Sequence, residues 1–263
     1  MRVSKFNRNI QTAKRILLLF LGAFLFATCS PDDFKDCLLS SGSIVVEEIQ
    51  LDFFEEIIVG RNIALTIFPA ENNVLKIEGR RNHVADFEWY IEDNSLRIEA
   101  NSLCSAGFSE APLVVELFAE NLTRIVSGTQ FLINSEVPLT FPKLSIVNER
   151  FVDSRAGNTG LYDLLFDNDE VYYVANNVLT STFRGTTNKL RLLKTGNFGA
   201  IDASLLEAKS VEVFHRGFND ILVHPTEILY AEIRSTGNLV LVNEPDQIEV
   251  ETFFTGQLIY PNE

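Results

Sequence analysis

The sequence predicts an all-β protein whose strands stack coil upon coil as a β-solenoid. Phe occurs 21 times beside abundant Val, Ile and Leu, whereas Met and Trp occur once each. Such residues suit pleated, half-buried surfaces better than helices. No window after residue 40 keeps a 3.6-residue apolar period for three turns. Apolar segments after Pro112 instead recur about every 20 residues, which is the repeat that a solenoid requires.

Residues 1–28 have the layout of a cleaved export signal. A basic leader without Asp or Glu precedes the apolar run Ile16–Ala27, which is too short to span a bilayer as a helix. Cys29 follows directly, as in a bacterial lipobox, so we expect the leader to be removed and Cys29 to be acylated. A plain secretory signal is the alternative, because Phe26 and Thr28 depart from the usual lipobox residues. The lipobox interpretation predicts an outer-membrane lipoprotein that faces the periplasm or the cell surface and contacts the membrane through its lipid.

Residues 29–43 are polar and are predicted to form a short tether between the lipid and the folded domain. If Cys29 carries lipid, Cys37 and Cys104 remain as an even pair in an oxidising compartment, so we expect a disulfide between them. Two free or buried thiols are the alternative.

The charge of the chain excludes nucleic acid as a partner. Five of the 22 basic residues and none of the 36 acidic residues lie in residues 1–28, so the mature chain has a formal net charge of −19. Such a surface repels polyanions, and no strongly basic run counteracts it.

Residues 44–111 are predicted to form an irregular β section that resembles a cap. Short apolar segments separated by turn-forming clusters such as Gly60–Asn62 and Glu92–Asn94 indicate strands. These segments begin at Ile44, Phe54, Ile63, Val74, Phe87 and Ser95.

Residues 112–260 are predicted to form the coils, so that residues 44–260 make one domain. The repeated apolar segments begin at Ile125, Ile146, Leu165, Phe183, Val213, Ile233 and Phe253. Gly and Asn between them are predicted to turn the corners with a left-handed backbone. The corner residues in this prediction are Gly128, Asn148, Asn168, Gly185, Asn188, Gly217, Asn219, Gly237, Asn238 and Gly256.

Several of these segments resemble a known family. Phe54–Ile67, Leu75–Asn82 and Asp93–Ile98 resemble the head of the putative auto-transporter adhesin, head GIN domain family. Segments that resemble its recurring Gly-Ser-Gly-Asp-Ile units are Ile201–Leu206, Gly217–Val223, Ala231–Leu239 and Gly256–Tyr260. The resemblance implies a right-handed parallel β-helix in a secreted or lipid-anchored envelope protein of unknown activity. Cys37 and Cys104 also look like a cysteine pair that some members carry.

A carbohydrate-active enzyme on the same scaffold is the alternative function. Its acidic centre would be Asp163, Asp167, Asp169 and Glu170, with the basic residues Lys189, Arg191 and Lys194 about one coil later. An exposed turn with solvated ion pairs explains the same residues, and the spacing is not that of a calcium loop. His215 and His224 are typical of surface strand positions. We therefore predict no catalytic residues, no metal site and no cofactor.

Tyrosines in the middle coils are the candidate binding residues. Tyr162, Tyr172 and Tyr173 occupy strand positions, where exposed rings stacked across coils could hold a glycan or an envelope protein. Phe is assigned to the interior by default. The predicted function is a non-catalytic envelope protein that binds through one face of the solenoid, and a purely structural spacer is the further alternative.

Overall fold

The computed structural model describes residues 43–100, 112–148, 160–176, 180–196 and 199–260. The leader, most of the tether, Cys29, Cys37 and Cys104 lie outside the described residues. The predictions of acylation at Cys29 and of a disulfide between Cys37 and Cys104 therefore stay predictions. The described residues belong to one compact unit.

The described chain is all-β, as predicted, with a single short helix, α1 (Arg81–Ala85). The strands before residue 112 are β1 (Ile44–Gln50), β2 (Glu56–Val59), β3 (Ile63–Pro69), β4 (Val74–Arg80), β5 (Phe87–Glu92) and β6 (Ser95–Ala100). Those of the next part are β7 (Leu113–Ala119), β8 (Arg124–Ser127), β9 (Leu132–Asn134), β10 (Lys143–Asn148), β11 (Leu161–Ala175) and β12 (Thr180–Lys194). The last are β13 (Ile201–His215), β14 (Ile221–Ile233), β15 (Leu239–Leu241), β16 (Gln247–Thr252) and β17 (Leu258–Ile259).

The strands form one mixed sheet, so a right-handed parallel β-helix is not confirmed for the whole domain. Three pairs are antiparallel, namely β1 with β4, β4 with β7, and β5 with β6. The other strand pairs are parallel, including every pair of the long strands β11 to β14. The antiparallel pairs lie in the N-terminal section, which agrees with its predicted irregularity.

The parallel strands make two ladders, which we call face A and face B. Face A contains β7, β3, β9, the first halves of β11 to β14, and then β15 and β17. Face B contains β6, β2, β8, β10, the second halves of β11 to β14, and then β16. Partners such as Ser181, Ile201 and Ile221 stand opposite one another in register. Their spacing confirms the predicted repeat of about 20 residues.

The section before residue 112 contributes to the same two ladders. β2 pairs in parallel with β6 and β8 on face B, and β3 pairs in parallel with β7 and β9 on face A. Among the described strands before β7, only β1, β4 and β5 are added in antiparallel fashion. Part of the section predicted as cap-like is therefore continuous with the coils.

The interior is filled by alternate residues of both faces. Phe166, Tyr173 and Phe183 are almost fully buried, and their rings meet edge to face, with centroids 5.6 Å apart for Phe166 and Phe183 and 5.0 Å apart for Tyr173 and Phe183. Such contacts add to the free energy of burying the rings. The assignment of Phe to the core holds for Phe166 and Phe183.

Of the predicted corner residues, Gly185 has the expected left-handed backbone, whereas Gly237 and Gly256 serve a different purpose. The described glycines with a left-handed backbone are Gly185 and Gly199, with φ of 101° and 97°. At Gly237 a Cβ atom would lie 2.9 Å from the carbonyl oxygen of Gly217, and at Gly256 it would lie 2.3 Å from that of Gly237. These glycines are required because each corner packs directly on the backbone of the preceding coil, and a left-handed turn is not the reason.

A candidate binding groove on face B

Two of the three candidate tyrosines lie in the interior, so the predicted tyrosine face is wrong for them. Tyr162 and Tyr173 are 2% and 0% exposed, because both side chains point inward from β11. The hydroxyls of Tyr173 and Ser181 lie 2.5 Å apart. Burial raises the pKa of Tyr162 to about 12 and raises that of Tyr173 further, so both phenols stay protonated.

Tyr172 points outward from face B and begins a column of side chains that crosses five strands. Because successive residues of a strand point to opposite sides, Tyr172 faces outward where Tyr173 faces inward. The parallel register places Tyr172, Arg191, Glu212, Tyr230 and Glu249 opposite one another on β11, β12, β13, β14 and β16.

A second outward column lies two residues farther along each strand. It contains Leu193, Phe214, Glu232 and Glu251 on β12, β13, β14 and β16. An open groove of about 460 Å³ lies along the two columns. Strands stand about 4.8 Å apart, so the three steps from Tyr172 to Tyr230 span about 14 Å. The groove is long enough for an extended ligand rather than a compact one.

The centre of this groove contains charged side chains that are held in place by ion pairs. The guanidinium carbon of Arg191 lies 5.0 Å from the ring centroid of Tyr172, within cation–π range. Arg191 Nε donates to the carboxylate of Glu212 at 2.9 Å, and Lys189 Nζ approaches the other carboxylate oxygen at 2.5 Å. Burial acts to raise the pKa of the Glu212 carboxyl, but the hydrogen bonds and charges of Lys189 and Arg191 hold that pKa below its ordinary value. Glu212 therefore stays ionised in a defined orientation, and its charge is balanced by Lys189 and Arg191.

An aromatic and cationic stack around Arg234 lies just beyond the ends of β14 and β16, next to the second column. The guanidinium carbon of Arg234 lies 5.5 Å from the ring centroid of Phe214 and 4.0 Å from that of Phe253. Its Nε donates to Glu232 at 2.6 Å. Glu232 is thus neutralised, whereas Glu249 and Glu251 form no ion pair within the part of the chain that the structure describes.

The structure does not bring the predicted acidic centre together. Asp163 lies on face A and binds the Arg184 guanidinium at 2.8 Å, while Glu170 lies on face B, 3.8 Å from Lys143 Nζ. Between them the chain turns the corner from face A to face B. The carboxylates therefore point in different directions around the coil, and they do not converge on one substrate position.

The remaining acids of that cluster belong to a polar ladder at the corner. Asp167 accepts a hydrogen bond from Thr186 at 3.2 Å, and Asp169 accepts one from the Asn188 amide at 2.8 Å. Each pair joins β11 to β12 at the same step of the repeat. Within the described ranges, no three His, Cys, Asp or Glu side chains are arranged to hold a metal ion.

His215 and Lys194 are buried, contrary to the surface position predicted for the histidine. They stand opposite each other at the ends of β13 and β12 and are 0% and 1% exposed. Burial, together with the nearby charge of Lys194, lowers the pKa of His215 to about 4, and burial lowers the pKa of Lys194 to about 8. His224 lies elsewhere, with Nδ1 3.2 Å from the Ser204 carbonyl oxygen. The two histidines do not bracket a site.

Sequence reasoning found Tyr172 but missed its partners Arg191, Glu212 and Tyr230 as parts of a binding groove. Their positions follow the 20-residue repeat, because successive members of the column, starting at Tyr172, are 19, 21 and 18 residues apart. An alignment of the coils by outward position, rather than by the apolar residue that begins each segment, could have found the column.

Comparisons with known proteins agree on the family and the fold. The family model described as "Putative auto-transporter adhesin, head GIN domain" matches residues 53–245. No curated protein matches the sequence. In the described part of the chain, no helix is long and apolar enough to cross a membrane.

Several solved structures share this fold. A putative adhesin from Bacteroides fragilis has a TM-score of 0.69 at 20% identity, over 83% of this chain and 97% of that one. A putative adhesin from Parabacteroides merdae has a TM-score of 0.62 at 17% identity, over 83% and 96%. A protein from Parabacteroides distasonis titled a putative lipid binding protein has a TM-score of 0.51 at 15% identity, over 84% and 96%. At these identities the likeness shows the fold alone.

Proposed function

Because this chain belongs to the putative auto-transporter adhesin, head GIN domain family, we propose that it is a non-catalytic adhesin that binds an extended glycan along face B. The groove between Tyr172 and Tyr230 is the observation that carries this proposal. Aromatic rings stack on the apolar faces of sugar rings, and ordered charged side chains hydrogen-bond the hydroxyl groups around them.

The charges of the groove favour a neutral or amino-sugar glycan over an acidic one. Glu212 and Glu232 are neutralised by Lys189, Arg191 and Arg234. Glu249 and Glu251 add two further negative charges at the end of the groove. An acidic polysaccharide would meet these carboxylates with like charge, which lowers its affinity.

The setting of this adhesin is the cell envelope. The proposed form is an outer-membrane lipoprotein, cleaved after residue 28, acylated at Cys29 and held off the membrane by residues 29–43, with a Cys37–Cys104 disulfide. Residues 112–260 are proposed to wind as a right-handed parallel β-helix. Labelled palmitate should appear on the wild type and not on Cys29→Ala, and label that persists on the variant would exclude lipidation at this position.

A glycan array with the purified protein tests the groove. We expect binding to neutral or amino-sugar oligosaccharides, and we expect Tyr172→Ala and Tyr230→Ala each to weaken that binding at least tenfold, since each removes one ring of the column. Tyr90→Ala is the matched control, because Tyr90 is an exposed tyrosine on β5, outside the groove. Binding that both groove variants retain, or an array without any bound glycan, would contradict the proposal.

A further inference from the structure

The last coil of the stack has an unpaired edge. Within the described residues, β16 pairs only with β14, and β17 pairs only with β15. Hydrogen bonding alternates along a parallel strand, and the N–H of Phe253 donates to Ile233 of β14 at 2.8 Å. The backbone N–H groups of Ile248, Val250 and Thr252 therefore face the unpaired side. A free edge of this kind is a template for a further strand.

The interior of the last coil is incompletely covered. On β14, the inward residues Leu229 and Ala231 are 0% and 7% exposed. The residues opposite them on β16, Ile248 and Val250, pack against the core but are only partly buried. One more strand with an inward apolar residue would complete the column.

The outward charges of the last coil lack the partners that earlier coils have. Elsewhere on face B, acids and bases stand directly opposite each other on neighbouring strands, as Glu56 with Arg124 and Arg191 with Glu212 do, at 3.5 and 2.9 Å. Residues 235–263 contain no Lys, Arg or His. Glu249 and Glu251 thus lie at the free edge with no opposite charge across it.

A second copy of this chain does not fit this edge. The strands at the opposite end of the stack, β1 and β5, each pair on one side only among the described strands. They contain Glu47, Glu48, Glu88 and Glu92 and no basic residue. End-to-end stacking of two copies would place acidic strands against the acidic β16.

From these contacts we propose that β16 binds an extended segment of a partner protein as an added parallel strand, in which basic residues alternate with an apolar one. The basic residues would stand opposite Glu249 and Glu251 on the outside, and the apolar residue would cover Val250 on the inside. The chain contains an internal example of this pattern, because Lys189-Leu190-Arg191 of β12 packs against β13 with both cations on Glu212 and with Leu190 in the core. This binding mode is β-strand addition; it is argued from the free edge of β16 and does not require a glycan, although Glu249 and Glu251 also line the groove.

The probe that tests this inference is a labelled heptapeptide with the sequence of residues 188–194, Asn-Lys-Leu-Arg-Leu-Leu-Lys. We expect fluorescence anisotropy to show saturable binding to the purified protein. A peptide of the same composition with the basic residues adjacent and the leucines adjacent should bind at least tenfold more weakly. Equal binding of the two peptides would mean attraction by charge alone and would overturn the proposal.

Two variants locate the binding at the edge. Glu249→Gln with Glu251→Gln should weaken peptide binding at least tenfold, whereas the matched control Glu120→Gln with Glu136→Gln removes two exposed charges elsewhere and should change it less than twofold. Thr252→Pro should abolish binding, because it removes an edge N–H that is not used by the ladder to β14. Its unfolding midpoint shows whether the coil is intact, and the glutamine variants remain decisive if it is not. Unchanged binding by the glutamine variants, or by a folded Thr252→Pro, would exclude β16 as the site.

Discussion

At the scale of single residues, His215 shows how a corner of the stack uses a polar side chain. The Nδ1 atom of His215 accepts a hydrogen bond from the N–H of Gly217 at 3.3 Å, which requires the neutral imidazole. Burial and then the charge of Lys194 lower the pKa of His215 to about 4, and Asp220 acts in the opposite direction. The histidine is therefore part of the corner's packing and is held in its neutral form.

The lowered pKa of His215 predicts that the folded protein loses stability in acid. An ordinary histidine has a pKa near 6.5, so between pH 6.5 and 4 the unfolded chain binds a proton at this residue that the folded chain does not. Stability from His215 is present above pH 6.5 and declines as the pH falls toward 4, by up to about 3 kcal/mol. Urea unfolding at pH 7 and pH 4.5 should show a smaller decline for His215→Gln than for the wild type. Parallel pH profiles of the two proteins would contradict this prediction.

At the scale of elements, the alternation of each strand decides which residues form the core and which form the groove. Phe183 of β12 is fully buried against the rings of Phe166 and Tyr173, whereas Leu205 of β13 is 65% exposed. Leu205 lies where the register between β13 and β14 shifts. An added residue in one strand redirects the side chains near it.

Substitutions at these two residues should have very different costs. Phe183→Ala removes a ring from a packed interior and should lower the free energy of unfolding by about 3–5 kcal/mol. Leu205→Ala should change it by less than about 0.5 kcal/mol, as is usual for an exposed site. Urea denaturation of the two variants measures both values. Equal losses would show that Leu205 is packed or that Phe183 is not.

The same alternation explains how far the sequence could predict the fold and the groove. The repeat, the strand-rich composition and the family segments were sufficient for an all-β protein with a period near 20 residues. Tyr172 and Tyr173 are adjacent, so only one of them can point outward from a strand, but the sequence does not say which. The choice depends on the pairing of β11 with β10 and β12, and these contacts are distant in sequence. Gly185 has the predicted left-handed backbone, but the reason for Gly237 and Gly256 lies in the backbone of the neighbouring coil.

At the scale of the whole molecule, the coils are stacked in a line, and each coil depends on its neighbours. Strands β12 and β13 have partners on both sides, whereas β16 has one partner among the described strands. In such a stack, stability is approximately a sum of contributions from single coils and the contacts between neighbours. The end coil should therefore open more readily than the middle ones.

Hydrogen exchange should reveal this gradient. We expect the amides of Ile248, Val250 and Thr252 to exchange at least a hundredfold faster than those in the middle of β12 and β13, because they face an unpaired edge. Mass spectrometry of peptides from the two regions gives the comparison. Equal protection of β16 and β12 in the isolated protein would mean that the end coil is covered.

The connections from face B back to face A differ in length, although the second halves of the strands stay opposite one another on face B. Four residues separate β11 from β12, six separate β12 from β13, and five separate β13 from β14. A change of length in these connections therefore leaves the columns of face B aligned, whereas a one-residue insertion inside a strand would turn the residues that follow it to the opposite side. Apart from the corner glycines that pack on the preceding coil, the row of connections is thus the side of the molecule on which new loops, tags or whole domains can be inserted while the groove keeps its geometry.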